Sequence, residues 1–194
     1  MANKTEQFNM VIFGVGGQGL ITLLQIISAA AIIEGYDIKT SELHGLSQRG
    51  GSVEVHIRFG KKINSPMVAR GKVNLVLGLE EQESLRGLYF ANSKTNFLMN
   101  QLITPIPLKK PLTEIEILKQ LKQITKNITI VPADKICKEK LGNTVVSGIY
   151  LISLASFKNL IPLKPESVRK AIKKIIPEKY LELNLKTFSL AKGN

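Results

Sequence analysis

A glycine-rich turn near the start of the chain constrains the fold more than any other part of the sequence. Residues 14–19, Gly-Val-Gly-Gly-Gln-Gly, lie between a short apolar run at 10–13 and a long uncharged run at 20–33. The short run is typical of a buried strand and the long run of a buried helix. Glycines allow a tight turn and a close approach by another molecule, and the first N–H groups of the helix favour an anion there. The sequence therefore predicts a strand, a glycine turn and a helix, the opening unit of a doubly wound α/β fold.

The spacing of Gly14, Gly16 and Gly19 also matches the pattern G-x-G-x-x-G of dinucleotide-binding folds. That pattern requires an acidic residue at the end of the second strand, and Glu42 lies later in the chain than such a residue should. Two alternatives stay open at this point. The glycines could serve only tight packing between strand and helix, or the chain could be a stand-alone dinucleotide-binding protein or NAD-dependent reductase. Both alternatives predict the same mostly parallel, Rossmann-like sheet.

The composition predicts one globular domain that covers residues 1–194, with 44% hydrophobic residues. The single cysteine, Cys137, excludes an internal disulfide and an iron–sulfur or thiolate metal site made by this chain alone. We therefore expect a cytoplasmic protein with no metal site. The glycine turn also interrupts the uncharged N-terminal run, which leaves a segment too short to span a membrane.

The formal net charge is +12, and nearly all of the excess lies in residues 101–194. The lysines there alternate with apolar helix positions, as in Lys119, Lys122 and Lys126, and no aromatic side chains are interleaved with them. We therefore expect no nucleic-acid binding. A solvated lysine-rich face, or a surface that attracts an acidic partner protein, accounts better for the charge.

A polar loop at residues 43–51 departs from an ordinary Rossmann repeat, in which a helix would follow the second strand at 37–41. It contains His44, Gln48 and Arg49, which can donate hydrogen bonds to an anionic group. The next segment, 52–59, alternates apolar and polar residues, which predicts a strand buried on one side only, with His56 on its exposed side. A buried strand at 73–79 follows and ends at Glu80, which we expect to face the crevice at the carboxyl ends of the strands.

The rest of the chain is predicted to be mostly helical. Thr113 and Glu116 form a capping box that opens a helix extending to about residue 125. Short strands are predicted at 96–100 and 127–131, and helices at 133–141, 143–157, 165–176 and 178–191. Cys137 is expected to be a half-buried structural thiol, because no histidine lies near it in sequence to activate it.

Four stretches of the sequence together form a recognisable set of motifs. They are G-V-G-G-Q-G at 14–19, T-S-E-L-H-G-L-S-Q-R-G-G-S-V at 40–53, G-L-E followed by E-S-L-R at 78–86, and L-G-N at 141–143, which leads to a helical tail containing E-L-N at 182–184. Together they resemble the gamma-type subunit of the 2-oxoacid:ferredoxin oxidoreductase family, and within that family its indolepyruvate branch. The second stretch is the most specific of the four.

That resemblance implies a complex that oxidatively decarboxylates an aryl 2-oxoacid, passes the electrons to ferredoxin and transfers the acyl group to coenzyme A. In this family thiamine diphosphate, its Mg²⁺ ion and [4Fe-4S] clusters belong to a larger alpha subunit. This chain would then be a non-redox subunit without a cofactor of its own, and it is expected to be inactive in isolation. It would reach ferredoxin only through the complex.

The glycine turn and the polar loop are predicted to form one edge that faces a ligand and covers the active site of the partner. This edge could contact the phosphates of coenzyme A through backbone N–H groups and Arg49. The alternative is that Gln18 and Arg49 only hold the subunit interface. No catalytic residue is predicted, and the candidate binding residues are Gly14, Gly16, Gly17, Gln18, Gly19, Ser41, His44, Gln48, Arg49, Gly50, Gly51 and Glu80.

Overall fold

A computed structural model describes residues 5–45, 50–105 and 110–193. In this part of the chain six strands form a single sheet in the order β2-β3-β1-β4-β5-β6. The strands are β1 (Gln7–Val15), β2 (Asp37–His44), β3 (Ser52–Gly60), β4 (Leu75–Gly78), β5 (Asn96–Asn100) and β6 (Ile128–Val131). The predicted α/β class is confirmed.

The strand order differs from a regular Rossmann sheet on one side of β1. Strands β1, β4, β5 and β6 are parallel neighbours. On the other side β3 pairs antiparallel with β1, and β2 pairs antiparallel with β3. Strand β2 is therefore an edge strand, separated from β1 by the full width of β3.

Helices cover both faces of the sheet, and each face has its own apolar core. Met10 and Ile12 of β1 belong to the larger core, whereas Val11 and Phe13 belong to the smaller one on the opposite face. This double burial explains why β1 is apolar at consecutive positions. The helices described are α1 (Leu20–Ile33), α2 (Glu81–Ser84), α3 (Glu114–Leu121), α4 (Ala133–Leu141), α5 (Ser147–Phe157), α6 (Pro165–Ile175) and α7 (Glu178–Leu190), with 3-10 turns at Leu85–Tyr89 and Ala191–Gly193.

The prediction that β3 is buried on one side only is wrong. The apolar side is buried as expected, but Glu54 and His56 on the polar side are buried too, with His56 completely inaccessible. The His56 ring contacts the edge of Phe90 at a centroid distance of 5.1 Å. Its Nδ1 accepts the N–H of Val68 (3.1 Å), so its Nε2 carries the proton that faces Glu54 Oε1 at 2.7 Å.

The structure also corrects two predicted helix boundaries and the predicted burial of Cys137. The capping box at Thr113 is confirmed, but α3 ends at Leu121 rather than near residue 125. Helix α5 begins at Ser147, later than the predicted residue 143. Cys137 is fully buried rather than half-buried, and burial raises the pKa of its thiol to about 11. None of the described helices is long and apolar enough to cross a membrane.

Candidate functional site

The glycine turn folds into a compact loop that is closed by its own glutamine. Gln18 Oε1 accepts the backbone N–H of Val15 at 2.9 Å, and the N–H of Gln18 donates back to the carbonyl of Val15 at 3.2 Å. A Cβ on Gly14 would lie 2.6 Å from the same Gln18 oxygen, so a larger residue there would displace this side chain. Gly19 has a φ of 76°, a left-handed conformation that favours glycine.

Helix α1 starts directly after this loop, with Gly19 as its N-cap. No side chain caps the helix, and its first turn contains no acidic residue. The first intrahelical bond runs from the N–H of Leu23 to the carbonyl of Gly19 (3.1 Å), which leaves the N–H groups of residues 20–22 without an acceptor in the helix. The positive end of the helix dipole is therefore not neutralised by a side chain of the helix itself, which favours an anion there.

Backbone hydrogen bonds join the glycine loop to the end of the polar loop. The N–H of Gly16 donates to the carbonyl of Gly51 at 2.9 Å, and the N–H of Gly50 donates to the carbonyl of Gly16 at 3.3 Å. The prediction that the two segments lie together is confirmed at these glycines. Gln48 and Arg49 lie outside the described residues, so their placement stays a prediction.

The geometry gives no support to a nucleotide site of the Rossmann type. Because β3 lies between β1 and β2, Glu42 on β2 is two strand spacings from β1, about 10 Å. Glu42 instead lies 3.2 Å from His44 Nε2, and the N–H of Gly16 is already bonded to Gly51. Ser41 is half-buried and His44 exposed, both on the edge strand β2.

The prediction that Glu80 faces the crevice is wrong. Its side chain is buried, with a residue exposure of 1%, and both carboxylate oxygens have backbone partners. Oε2 accepts the N–H of Glu83 at 2.6 Å, and Oε1 accepts the N–H of Thr104 at 2.8 Å. Burial raises the pKa of Glu80, while these two bonds act in the opposite direction. Glu80 therefore caps α2 and fixes the segment after β5.

The structure contains a charged network next to the glycine edge that the sequence did not reveal. Ser52, which follows Gly51, donates to Glu83 Oε1 at 2.8 Å. Arg86 bridges Glu83 (3.2 Å) and Glu54 (2.8 Å). The spacing of Glu83 and Arg86 is a local signal for an ion pair, but nothing in the sequence links either residue to β3. The network connects the end of the polar loop to α2.

A cavity of about 630 Å³ adjoins the start of α1. Gln18, Gly19 and Thr22 form one wall, and apolar side chains from the start of α5 and from α6 and α7 form the others. Asn184 also lines it, and its amide nitrogen donates to the carbonyl of Tyr180 (2.8 Å). The start of α1 thus borders a space large enough for part of a ligand. Within the described residues, no cluster of His, Cys, Asp and Glu side chains could hold a metal ion.

The comparisons with known proteins all indicate one family. Residues 9–193 match the family model described as pyruvate ferredoxin/flavodoxin oxidoreductase. Proteins named indolepyruvate oxidoreductase subunit IorB are similar to the chain: that of Thermococcus kodakarensis is 32% identical, covering 95% of this chain and 94% of the relative. That of Archaeoglobus fulgidus is 34% identical, covering 95% and 93%.

Solved structures share the fold at lower identity. The gamma subunit of a keto/oxoacid ferredoxin oxidoreductase from Geobacter sulfurreducens PCA has a TM-score of 0.70 at 21% identity, covering 96% of each chain. The pyruvate oxidoreductase subunit PORC from Thermotoga maritima has a TM-score of 0.71 at 17% identity, covering 98% of this chain and 97% of its own. With the sequence match extending over nearly the whole length, the chain belongs to the pyruvate ferredoxin/flavodoxin oxidoreductase family.

Proposed function

We propose that the chain is the non-redox subunit of an indolepyruvate-type 2-oxoacid:ferredoxin oxidoreductase. Such a complex oxidatively decarboxylates an aryl 2-oxoacid to its acyl-CoA and reduces ferredoxin. The observation that carries the proposal is the identity of 32% and 34% to proteins named indolepyruvate oxidoreductase subunit IorB, over 95% of this chain. The assignment to the indolepyruvate branch rests on these relatives. The site residues of this chain do not decide it, because the partner subunit would largely select the oxoacid.

The redox chemistry is assigned to a larger partner subunit in the cytoplasm. That subunit would carry thiamine diphosphate with Mg²⁺ and the [4Fe-4S] clusters. The donor set of this chain does not fit a cluster, since a cluster needs several thiolates and the chain has one cysteine. That cysteine is buried, and its thiol has a pKa of about 11, which disfavours the thiolate. The isolated chain is therefore expected to be inactive.

The role of this chain would be to cover the active site of the partner and to hold the phosphates of coenzyme A. Three features support it: the uncapped start of α1, the bonds between Gly16 and the polar loop, and the cavity beside them. Backbone N–H groups bind phosphate without a change in protonation, and Arg49 would add a bidentate contact.

Thr22→Glu tests this role without weakening the helix. Thr22 lies in the first turn of α1 and lines the cavity, so a carboxylate there stabilises the helix dipole by up to about 1 kcal/mol. The same carboxylate repels a phosphate. In the reconstituted complex, we expect the KM for coenzyme A to rise about tenfold, equivalent to about 1.4 kcal/mol, with a smaller change in kcat.

Gln120→Glu is the matched control, because it adds the same charge at an exposed position of α3, which does not line this cavity. Arg49→Ala provides a second probe of the same contact. If Thr22→Glu and Arg49→Ala both leave the KM for coenzyme A unchanged, this edge does not bind coenzyme A. If they instead prevent assembly of the complex, the edge is a subunit interface.

Co-purification from the native cell tests the subunit assignment separately. We expect the chain to elute with a larger, cysteine-rich polypeptide whose fractions show the brown absorbance of iron–sulfur clusters and require thiamine diphosphate for activity. The chain alone should be colourless, since it cannot ligate a cluster. Turnover of an oxoacid by the isolated chain would refute the assignment.

A further inference from the structure

A polar cleft lies at the opposite end of the sheet from the glycine edge. It surrounds the start of β1, whereas the glycine turn follows the end of that nine-residue strand, about 30 Å away at about 3.3 Å per residue. The cleft has a volume of about 810 Å³, within the range of small-molecule sites. None of its lining residues is acidic: they are Gln7, Asn9, Arg58, Ala69, Gly71, Lys72, Asn74, Asn92, Ser93 and Lys94.

Hydrogen bonds join the side chains of Gln7, Asn9 and Asn74 and the backbone of β1 into what we call the floor of the cleft. Asn9 is buried, and its Oδ1 accepts both Gln7 Nε2 (2.7 Å) and Arg58 Nε (3.0 Å). Its Nδ2 donates to the carbonyl of Lys72 at 2.8 Å. Asn74 Oδ1 accepts the N–H of Asn9 at 2.7 Å, which directs the donor end of the Asn74 amide away from that bond. These bonds engage the side-chain oxygens of Asn9 and Asn74, so a ligand would meet the donor groups of Asn74 and Arg58 rather than these two oxygens.

Arg58 brings an uncompensated positive charge to this floor. The residue is half-buried, and its described bonds go to neutral oxygens only. Besides Asn9, they are the carbonyls of Ser65 (2.7 Å) and Met67 (3.1 Å). Charged groups that leave water are normally paired with an opposite charge. Within the described residues, no carboxylate forms an ion pair with Arg58, so an anion from outside the chain would complete the site.

Two lysines supply further charge at the same place. Lys72 and Lys94 line the cleft and are exposed, and neither ammonium group has an ion pair among the described residues. The three cations together carry more positive charge than one carboxylate could neutralise. We propose that this cleft binds a small molecule carrying a phosphate group, whose two negative charges and several acceptor oxygens match three cations and amide donors.

Calorimetric titration of the full chain tests the site, with inorganic phosphate, inorganic pyrophosphate and adenosine monophosphate as probes. We expect saturable binding of at least one of them with one-to-one stoichiometry. The double variant Lys72→Gln/Lys94→Gln should weaken that binding at least about tenfold, because two charge-assisted contacts are lost. The Arg58 side chain is left intact, since it also holds the segment around Ser65.

A second double variant, Lys170→Gln/Lys173→Gln, is the matched control. It removes the same charge from the exposed face of α6, and it should change the affinity by less than about twofold, as expected for a distant charge screened by salt. Thermal unfolding of both double variants should match that of the unmodified chain, since all four side chains are exposed.

The outcome also identifies the source of the phosphate. Tighter binding of adenosine monophosphate than of inorganic phosphate indicates a phosphate ester whose organic part occupies the rest of the cleft, whereas equal binding indicates a site for the free anion. The absence of saturable binding up to about 10 mM of every probe, a Kd equivalent to less than about 3 kcal/mol, would overturn the proposal. So would an equal loss of affinity in the two double variants.

Discussion

Gly78→Ala is expected to lower the free energy of unfolding by about 3 kcal/mol, because the methyl group has no room and its displacement breaks a buried hydrogen bond. A Cβ at Gly78 would lie 1.7 Å from Ser84 Oγ and 3.2 Å from Met99 Cγ. Ser84 is fully buried, and its hydroxyl donates to the carbonyl of Glu80 at 2.7 Å. Rotation of this hydroxyl away from the methyl group would leave that bond unmade. Urea-induced unfolding of the purified chain measures the effect.

A second substitution identifies the cause of that loss. Gly78→Ala/Ser84→Ala removes the clashing hydroxyl, and we expect it to recover at least about 1 kcal/mol relative to Gly78→Ala. Gly45→Ala is the matched control, since its Cβ would approach no atom of the described residues closer than 3.5 Å, and it should change the stability by less than about 0.5 kcal/mol. A Gly78→Ala variant as stable as the unmodified chain would show that α2 can shift without cost.

Glu81→Gln is expected to stabilise the protein in alkaline solution and to have little effect in acid. Burial, and after it the carboxylates of Glu114 and Glu80, raise the pKa of Glu81 from 4.5 to about 7. Its Oε2 is buried without a hydrogen-bond partner in the described structure. The folded state thus favours the protonated acid, so its stabilising contribution is complete below about pH 4.5 and is lost as the pH rises to about 7.

Glutamine keeps the shape of the protonated acid but does not ionise. At pH 8 the variant should therefore be more stable than the unmodified chain by about 2–3 kcal/mol, following 1.36 kcal/mol per pKa unit, and the difference should vanish near pH 4.5. Urea-induced unfolding from pH 4.5 to pH 8.5 tests this. The control Glu139→Gln, at an exposed position of α4, should show no such trend. A constant difference across the pH range would contradict the assigned titration.

Local patterns in the sequence predicted most elements of the fold but not the arrangement of β3. The apolar run of β1 and the glycines before α1 gave the first strand and helix because their signals are local. The alternation in β3 correctly placed Val53, Val55 and Ile57 on a core face. It could not show that Arg86 and Phe90, from a distant segment, cover the other face. No local pattern indicates that β3 pairs with β1 as well as with β2.

The candidate site was likewise predicted where its signals are local in sequence and missed where they are not. The G-x-G-x-x-G spacing predicted the tight turn, and the joining of the two loops at Gly16 was expected from their places at strand ends. Glu80 was misplaced because one of its partners, the N–H of Thr104, is remote in sequence. The ligand contacts of the glycine edge remain predictions, and the KM for coenzyme A is the quantity that decides them.

The paired bonds at Gly16 also have a thermodynamic consequence. Both the N–H and the carbonyl of this residue are engaged by Gly50 and Gly51, so a rearrangement of one loop perturbs the other. If an anion at the start of α1 favours one arrangement of these loops, it must strengthen the binding of any protein that favours the same arrangement, and by the same factor. Subunit affinity measured with and without the anion would then report a single coupling free energy.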